Sequence, residues 1–243
     1  MPRFFMAGTN FAGGMAIMRG RDAEHVRVLR LRPGEDLIIC DGQGTDYKCR
    51  LVSADKEQAE AEVIEVVRCT AEPSVKVTVL CGLPKGDKTD FIIQKCVEAG
   101  AEEIMFFSSD RCVAKPDKPE KKLERWQRIA EEAAKQSGRG IIPRVSWAGE
   151  LADAFNVAVQ KDLGLFMYET GERETINDVL SANQQIRTAA IITGPEGGFA
   201  PFEAQLAKIC GLHICSMGER ILRCETAPVV ALTAVMYATG NLG

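Results

Sequence analysis

Five short and almost continuously apolar segments most strongly restrict the fold of this chain. They occupy residues 75–81, 103–107, 163–168, 188–193 and 213–217. Segments with the helical spacing of apolar residues alternate with them, and strands that are apolar on both faces are typical of a parallel sheet covered by helices on both sides. We therefore predict that residues 73–243 form an α/β domain around a parallel sheet.

Apolar residues at helical spacing mark the helices that we expect beside these strands. One helix can be capped by Asp87 or Thr89 and ended by Gly100, and its apolar face carries Ile92, Ile93, Cys96 and Val97. A longer helix has its apolar residues at Leu123, Trp126, Ala130 and Ala133. Two further helices are predicted near residues 202–210 and 226–238.

The first third of the chain has a different pattern. Between residues 25 and 70, short β-branched runs are broken by Pro33-Gly34 and by Asp41-Gly42, and the Asp-Gly pair is a strong hairpin signal. No helical period stands out there. We expect residues 25–70 to form strands that are arranged as a small β-barrel, and residues 71–74 to be a linker.

Composition excludes several classes of protein and site. The nine cysteines form no C-x-x-C pair and there are only two histidines, so we expect no disulfide framework and no metal site, with the cysteines acting as small buried side chains. No apolar run approaches the length of a membrane span. Free thiols suit a reducing compartment, and we expect a soluble cytoplasmic protein.

The net charge of −4 gives no general sign of a nucleic-acid binder. A local excess of positive charge is nevertheless present, because residues 111–144 contain ten Lys or Arg against five Asp or Glu. A solvated helix face with interspersed ion pairs would account for this excess, and so would a surface that contacts phosphates.

Three predicted loops at the carboxyl ends of strands have unusual chemistry. One is MYETGERE, at residues 167–174 after the segment 163–168. The other two have more specific patterns. The first, which we call the Gly-rich loop, is Gly194–Gly198, with the sequence GPEGG. It lacks the Lys-Ser/Thr of a phosphate-binding loop and the G-x-G-x-x-G spacing, so it offers bare backbone to a ligand unless it is only a tight turn. The second, which we call the Arg223 loop, is residues 217–226, where Ile221 and Leu222 lie among charged residues. A helix cap with solvated charges is the alternative there.

These two loops together carry a resemblance. GPEGGF followed by MGERILRCETAP resembles the cofactor-binding signature of the SPOUT class of methyltransferases, and the chain is most similar to the bacterial 16S ribosomal RNA uracil-N3 methyltransferase family. Further similar segments are HVRVLRLRPGE, KGDKTDFIIQKCVEAGA, SDRCVAK and RWQRIAEEAAKQSGR. The usual Leu is replaced by Met217, which is a conservative change for an apolar contact.

The resemblance implies a fold, a cofactor and partners. It implies a PUA-like RNA-binding β-barrel over residues 1–72, then a SPOUT domain over residues 73–243 with a C-terminal trefoil knot. It also implies a homodimer that binds S-adenosylmethionine and acts on 16S ribosomal RNA within the small subunit. We expect the partner to cover part of the last helix, including Val229, Val235 and Met236. The cofactor-binding residues carried over by position are Tyr168, Gly194, Pro195, Gly198, Met217, Gly218, Ile221, Leu222, Arg223 and Thr226.

The catalytic candidates are Arg223 and Glu225. The uracil imide nitrogen is a poor nucleophile until it loses its proton, and a cation near the flanking carbonyl oxygens would stabilise the resulting anion. Arg223 is the candidate cation. Glu225 can orient Arg223, or act as a base if burial raises its pKa. Alternatively the two residues form a structural ion pair, and Glu196 is expected to hydrogen-bond its own loop.

RNA contacts are expected from two basic runs. The residues predicted to bind RNA are Arg19, Arg21, Arg30, Arg111, Lys115, Arg125 and Arg139. Two other functions are compatible with the sequence. One is methylation of a ribose 2′-hydroxyl by a SPOUT enzyme, and the other is an RNA-binding protein that keeps the fold without turnover.

Overall fold

The computed structural model describes residues 1–6, 11–113, 119–171 and 173–242. Contacts divide the chain into two compact units. The first unit contains Met1–Glu72 together with Ala134–Ile142, and the second contains Pro73–Ala133 together with Pro143–Gly243. The break between Glu72 and Pro73 lies inside the expected linker, whereas the second segment of the first unit is not apparent from the sequence.

The first unit is built on a six-stranded sheet with the strand order β1-β4-β5-β6-β3-β2. Only the β1–β4 pair is parallel, and the remaining pairs are antiparallel. Alternate residues of these strands enter an apolar core that includes Phe4, Met18 and Leu37. The strands are β1 (Arg3–Phe5), β2 (Phe11–Ala12), β3 (Met15–Arg19), β4 (Asp36–Cys40), β5 (Thr45–Ala54) and β6 (Gln58–Arg68).

A short helix lies where we expected the first strand of this region. Helix α1 (Arg21–Val28) includes His25 and Val26, so the predicted start of β-structure at residue 25 is wrong. Its buried side chains are Ala23 and Val26, which are three residues apart and share one helix face. A helix of eight residues that buries two side chains leaves almost no periodic signal in the sequence.

The second unit contains a seven-stranded sheet in which every pair of neighbouring strands is parallel, in the order β11-β13-β10-β12-β7-β8-β9. Its strands are β7 (Lys76–Gly82), β8 (Glu103–Ser108), β9 (Arg144–Glu150), β10 (Leu163–Met167), β11 (Glu174–Thr175), β12 (Thr188–Thr193) and β13 (His213–Ser216). The helices are α2 (Lys88–Glu98), α3 (Pro119–Ser137), α4 (Leu151–Ala158), α5 (Ile176–Ala182), α6 (Pro201–Ile209) and α7 (Ala227–Ala238). The predicted α/β domain with a parallel sheet is therefore confirmed.

The elements that the sequence marked most strongly are the buried ones. All five predicted strands are present, and the predicted face of α2 is fully buried. Among the described residues of the second unit, four elements were not predicted, namely β9, α4, β11 and α5. Strand β9 is an edge strand with mostly half-buried residues, and β11 has only two residues, so neither has a distinctive apolar pattern.

Helix α7 packs against its own chain more completely than expected. Val235 and Met236 are fully buried within the unit, so the expectation that a partner covers them is wrong. The exposed apolar residues of this helix are Val230 and Tyr237, and Tyr237 is 74% exposed. Val229 is half-buried, so coverage of Val229 by a partner stays a prediction.

Seven of the nine cysteines are buried, as expected for small apolar side chains; Cys112 is half-buried and Cys210 is exposed. Within the described ranges, no group of His, Cys, Asp and Glu side chains is arranged to bind a metal ion. No helix in the same ranges is long and apolar enough to cross a membrane.

The sheet of the second unit determines where a ligand can bind. Strands β13, β10, β12 and β7 are consecutive neighbours and all run in the same direction. Their carboxyl ends therefore lie side by side, and the segments that follow them converge at one edge of the sheet. Ligands of open α/β sheets bind at this edge.

Candidate active site

A cavity of about 470 Å³ lies at the carboxyl ends of these strands, within the second unit. The loops that follow β10, β12 and β13 form most of its wall, together with the first residue of α2. Its lining includes Lys88, Tyr168, Glu169, the whole Gly-rich loop, Phe199, Ser216, Met217, Gly218 and Arg220–Cys224. This volume is within the range of pockets that bind small molecules and cofactors.

Close packing fixes the Gly-rich loop. A Cβ atom on Gly82, at the end of β7, would lie 2.5 Å from Cδ of Pro195, so only glycine allows this approach. Gly198 has a φ of +63°, in the left-handed region that favours glycine. A Cβ atom on Gly198 would lie 2.8 Å from Oε1 of Glu169, which also lines the cavity. The loop therefore presents bare backbone to the cavity.

Side chains from other elements hold the Gly-rich loop from outside. Oε1 of Glu196 accepts hydrogen bonds from the Lys85 backbone N–H, at 2.9 Å, and from Nζ of Lys88, at 3.0 Å. Arg111 donates a hydrogen bond to the Gly197 carbonyl oxygen at 3.2 Å. Glu196 accepts a hydrogen bond from its own backbone N–H, as expected, and its carboxylate also ties this loop to the segment after β7, which was not expected.

The Arg223 loop is much more open. Ile221 is 84% exposed and the Arg223 side chain is 85% exposed. Nη1 of Arg223 lies 4.0 Å from Oε1 of Glu225, whereas Nζ of Lys88 lies 3.4 Å from Oε2 of Glu225. A tight structural ion pair between Arg223 and Glu225 is therefore absent, and the closer cation of Glu225 is Lys88.

The charge state of this cluster follows from its contacts. Burial alone would raise the pKa of Glu225, but hydrogen bonds from its own backbone N–H and from the Cys224 thiol, together with Lys88, lower that pKa below its ordinary value. The hydrogen bond to Glu196 raises the pKa of Lys88 despite partial burial. Glu225 is therefore ionised at neutral pH, contrary to the suggestion that burial makes it a base with a raised pKa.

Most of the predicted cofactor-binding residues meet around this one cavity. Nine of the ten line it, namely Tyr168, Gly194, Pro195, Gly198, Met217, Gly218, Ile221, Leu222 and Arg223. Thr226 is outside the lining and, although it occupies the N-cap position of α7, its side chain makes no capping hydrogen bond. Glu225 also lies outside the lining and contacts it through Lys88.

Lys88 and Glu169 line the cavity but were given no role from the sequence. Lys88 lies in the segment KGDKTDF, which was recognised by similarity but given no role. Glu169 directly follows Tyr168 at the end of β10, and a position just after a buried strand is a signal for a ligand-facing side chain. Among the described residues its carboxylate has no hydrogen bond or ion pair, so it remains available to a ligand.

The predicted RNA-binding residues differ in their accessibility. Arg19, Arg21, Arg30, Arg111 and Arg125 are exposed, and Arg125 is paired with Asp90. Arg139 is only 4% exposed and binds Glu72 at 2.7 Å within the first unit, so it is not free to contact a phosphate as predicted. Lys115 lies outside the described residues.

Family models match both units of the chain. A model described as an RNA methyltransferase domain matches residues 71–236. A second, described as an RNA methyltransferase PUA domain, matches residues 19–64. The first match covers more than half of the chain and includes every residue of the cavity.

Individual relatives agree with these models. The chain is 38% identical to ribosomal RNA small subunit methyltransferase E of Bacillus subtilis over 227 residues, which is 90% of this chain and 89% of that protein. It is 31% identical to a solved ribosomal RNA small subunit methyltransferase E from Neisseria gonorrhoeae bound to S-adenosyl methionine, with a TM-score of 0.86 and coverage of 98% and 97%. A methyltransferase structure from Legionella pneumophila with bound cofactor SAM is 28% identical, with a TM-score of 0.86 and 97% coverage of both chains. The chain thus belongs to the ribosomal RNA small subunit methyltransferase E family.

Proposed function

We propose that this protein transfers a methyl group from S-adenosylmethionine to the N3 nitrogen of a specific uridine in 16S ribosomal RNA. The observation that carries the proposal is the joining of the two loops around one cavity, in a chain that matches this family over nearly its whole length. The resemblance over the whole chain, including its middle segments, favours the N3 nitrogen among the atoms that RNA methyltransferases modify.

The cavity has the chemistry that S-adenosylmethionine requires. Backbone groups of Gly194, Gly198 and Gly218 can contact the adenosine and methionine parts, and Leu222 offers an apolar surface. The unpaired carboxylate of Glu169 suits a ligand that carries ammonium and sulfonium charges. Once bound, the cofactor supplies an electrophilic methyl group, so the protein mainly has to position the nucleophile.

Arg223 is the residue that we propose to act on the nucleophile. Arg223 lines the cavity and its side chain is largely exposed, so its guanidinium is free to donate hydrogen bonds to the uracil carbonyl oxygens as N3 loses its proton. Glu225 is engaged with Lys88, and we assign it a positioning role. No residue of the Arg223 loop is assigned as the base, and the N3 proton passes to solvent in this proposal.

The finer features of the fold and assembly are also proposals. We propose that the first unit is a PUA-like barrel that binds RNA, and that the end of the second unit contains the trefoil knot of the SPOUT class. The exposed residues Val230 and Tyr237 of α7 support a homodimer formed through that face. Sedimentation at micromolar concentration tests the dimer, and a monomeric Tyr237→Lys variant of a dimeric protein would identify the face.

The RNA surface that we propose consists of the exposed arginines. The first unit contributes Arg19, Arg21 and Arg30, and the second unit contributes Arg111 and Arg125. Phosphate contacts of this kind give affinity that falls with salt and carry no sequence information. Selection of the uridine therefore has to come from the shape of the RNA and from contacts at the cavity.

The product distinguishes the proposed function from the alternatives. A methyl group at N3 removes the proton used in pairing with adenine, so reverse transcriptase should stop one nucleotide before a single uridine. This stop should require both the enzyme and S-adenosylmethionine, and mass spectrometry of the nucleosides should detect N3-methyluridine. Read-through with an incorporated labelled methyl group would instead indicate a ribose 2′-hydroxyl target. Cofactor-independent RNA binding without product would indicate a binding protein.

A further inference from the structure

Lys88 contacts both loops of the cavity with one side chain. Its Nζ lies 3.0 Å from Oε1 of Glu196 in the Gly-rich loop. The same atom lies 3.4 Å from Oε2 of Glu225 and 3.5 Å from the sulfur of Cys224, at the end of the Arg223 loop. Lys88 is the first residue of α2, so its backbone belongs to a third element.

The side chains of this cluster are less exposed than those of an ordinary surface ion pair. The three charged side chains are between about one sixth and one third exposed. Ion pairs between fully exposed side chains contribute little, because water screens them. Here two carboxylates converge on one ammonium group at the wall of the cavity, and removing that group would leave two half-buried negative charges near each other.

The positions of the two carboxylates give these contacts a functional meaning. Glu196 lies two residues before Gly198, whose left-handed backbone shapes the cavity. Glu225 lies two residues after Arg223, whose guanidinium lines the same cavity. A movement of either carboxylate would therefore move the backbone that faces the cofactor or the guanidinium that faces the substrate.

We propose that Lys88 is a positioning residue that fixes the Gly-rich loop and the Arg223 loop relative to each other through Glu196 and Glu225. This proposal rests on the proposed function of the cavity. It assigns Lys88 no contact with the reacting atoms. It predicts that loss of the ammonium group weakens cofactor binding through one carboxylate and slows methyl transfer through the other.

Calorimetry with S-adenosylmethionine tests the first effect. Lys88→Met should raise the Kd by roughly tenfold, because hydrogen bonds to charged groups contribute more than neutral ones. Lys88→Arg keeps the charge and should restore the Kd to within about threefold of the wild type. The matched control is Lys95→Met on the same helix, since Lys95 has a similar exposure and its ion-pair partner among the described residues is Glu98, outside the cavity. That control should leave the Kd unchanged.

Kinetics and a double-mutant cycle test the coupling of the two loops. At saturating cofactor, kcat of Lys88→Met should remain below that of the wild type, which separates a misplaced Arg223 from weak cofactor binding alone. Lys88→Met should raise the Kd by less in a Glu196→Gln protein than in the wild type, since the side chains of Lys88 and Glu196 share one interaction. Thermal unfolding of each variant shows whether it is folded at the assay temperature.

The outcomes separate this proposal from the proposed function. A wild-type protein that binds no S-adenosylmethionine would overturn the function of the cavity. Equal Kd and kcat values for the wild type and Lys88→Met would overturn the positioning role and leave the function intact. Fully additive effects of Lys88→Met and Glu196→Gln would also overturn it. If Lys88→Met does not fold, Lys88→Gln and the Glu196→Gln and Glu225→Gln single variants provide the same comparison.

Discussion

The Gly-rich loop and the Arg223 loop line the same cavity but differ in how firmly the chain fixes them. Pro195 packs against the end of β7, Glu196 binds Lys85 and Lys88, and Gly197 accepts a hydrogen bond from Arg111. In the other loop, Ile221 and Arg223 are largely exposed and the contacts that fix it are at its end, near Glu225.

This difference suggests a division of roles between the two loops. A loop that is fixed before its ligand arrives loses little conformational entropy on binding, which favours affinity for a small cofactor. A loop with exposed apolar and charged side chains gains its contacts only when a second molecule arrives. We infer that the Gly-rich loop is the preformed part of the proposed cofactor site, while the exposed side chains of Ile221 and Arg223 gain contacts only when the RNA binds.

The largest expected effect comes from Gly198→Val. The valine would have to adopt a φ near +63° and would place its Cβ 2.8 Å from Glu169 inside the cavity. We expect the Kd for S-adenosylmethionine to rise by at least about a hundredfold, equivalent to ~3 kcal/mol. Calorimetry gives the measurement.

Gly211→Val separates loss of the cavity from backbone strain. Gly211 has a φ of +84° at the end of α6, and a Cβ there would have no atom within 4 Å. This control carries a similar strain outside the cavity, so it should lose stability and keep cofactor affinity. Equal losses of affinity in both variants would mean that the Gly-rich loop is not part of the cofactor site.

Arg223→Ala tests the role of the Arg223 loop. Removal of one donor to a developing oxyanion commonly lowers the rate by about 10²–10³, and we expect kcat to fall by that amount. The Kd for S-adenosylmethionine should stay within about twofold, because the side chain extends into solvent. Arg187→Ala, at an exposed arginine outside the cavity, is the control. Normal turnover of the Arg223→Ala variant at saturating RNA would show that Arg223 is not catalytic.

A smaller effect is expected from the arginines of the first unit. Replacing Arg19, Arg21 and Arg30 together by Ala should weaken RNA binding by about tenfold and reduce the slope of log affinity against log salt by about two. Cofactor affinity should not change, since none of the three lines the cavity. An unchanged salt slope in a filter-binding titration would remove this surface from the proposed RNA site.

The smallest effect is expected from Glu225→Gln. The pKa of Glu225 is lowered below its ordinary value of 4.5, so its interaction with Lys88 is present above that pH and is lost only as the pH falls through the lowered pKa. From about pH 6 to pH 9 the group does not titrate, and kcat should change by less than about fivefold with the same pH profile. If kcat of the wild type falls at acid pH and kcat of Glu225→Gln does not, Glu225 acts as the base.

The sequence predicted those parts of the molecule that carry a local signal. Strands β7, β8, β10, β12 and β13 are apolar over their whole length, because both faces of a parallel sheet are covered. The Gly-rich loop was recognisable because Gly197, whose Cβ would lie 2.9 Å from Cβ of Arg111, and Gly198, whose backbone is left-handed, both require glycine. Such requirements restrict the residue type at a single position, so they are visible in the sequence.

Features that depend on distant partners were missed or mispredicted. Arg139 looked like a phosphate contact, but its partner Glu72 is 67 positions away and buries it. The role of Lys88 depends on Glu196 and Glu225, which lie in two different loops. No local pattern encodes a partner that only the fold brings near.

Helix α1 was missed for a different reason. A short helix that buries two side chains has no clear period in the sequence.

The sequence separations at the cavity have a consequence for folding. Lys85 and Glu196 are 111 positions apart, and Lys88 and Cys224 are 136 positions apart. Closing loops of this length costs entropy before the contacts compensate, so contacts of this kind form late and slow the folding of a chain. A partly folded intermediate would thus lack the cavity, and S-adenosylmethionine would recognise and stabilise only chains that have completed folding. Its binding is therefore a measure of how much of a preparation has reached the native state.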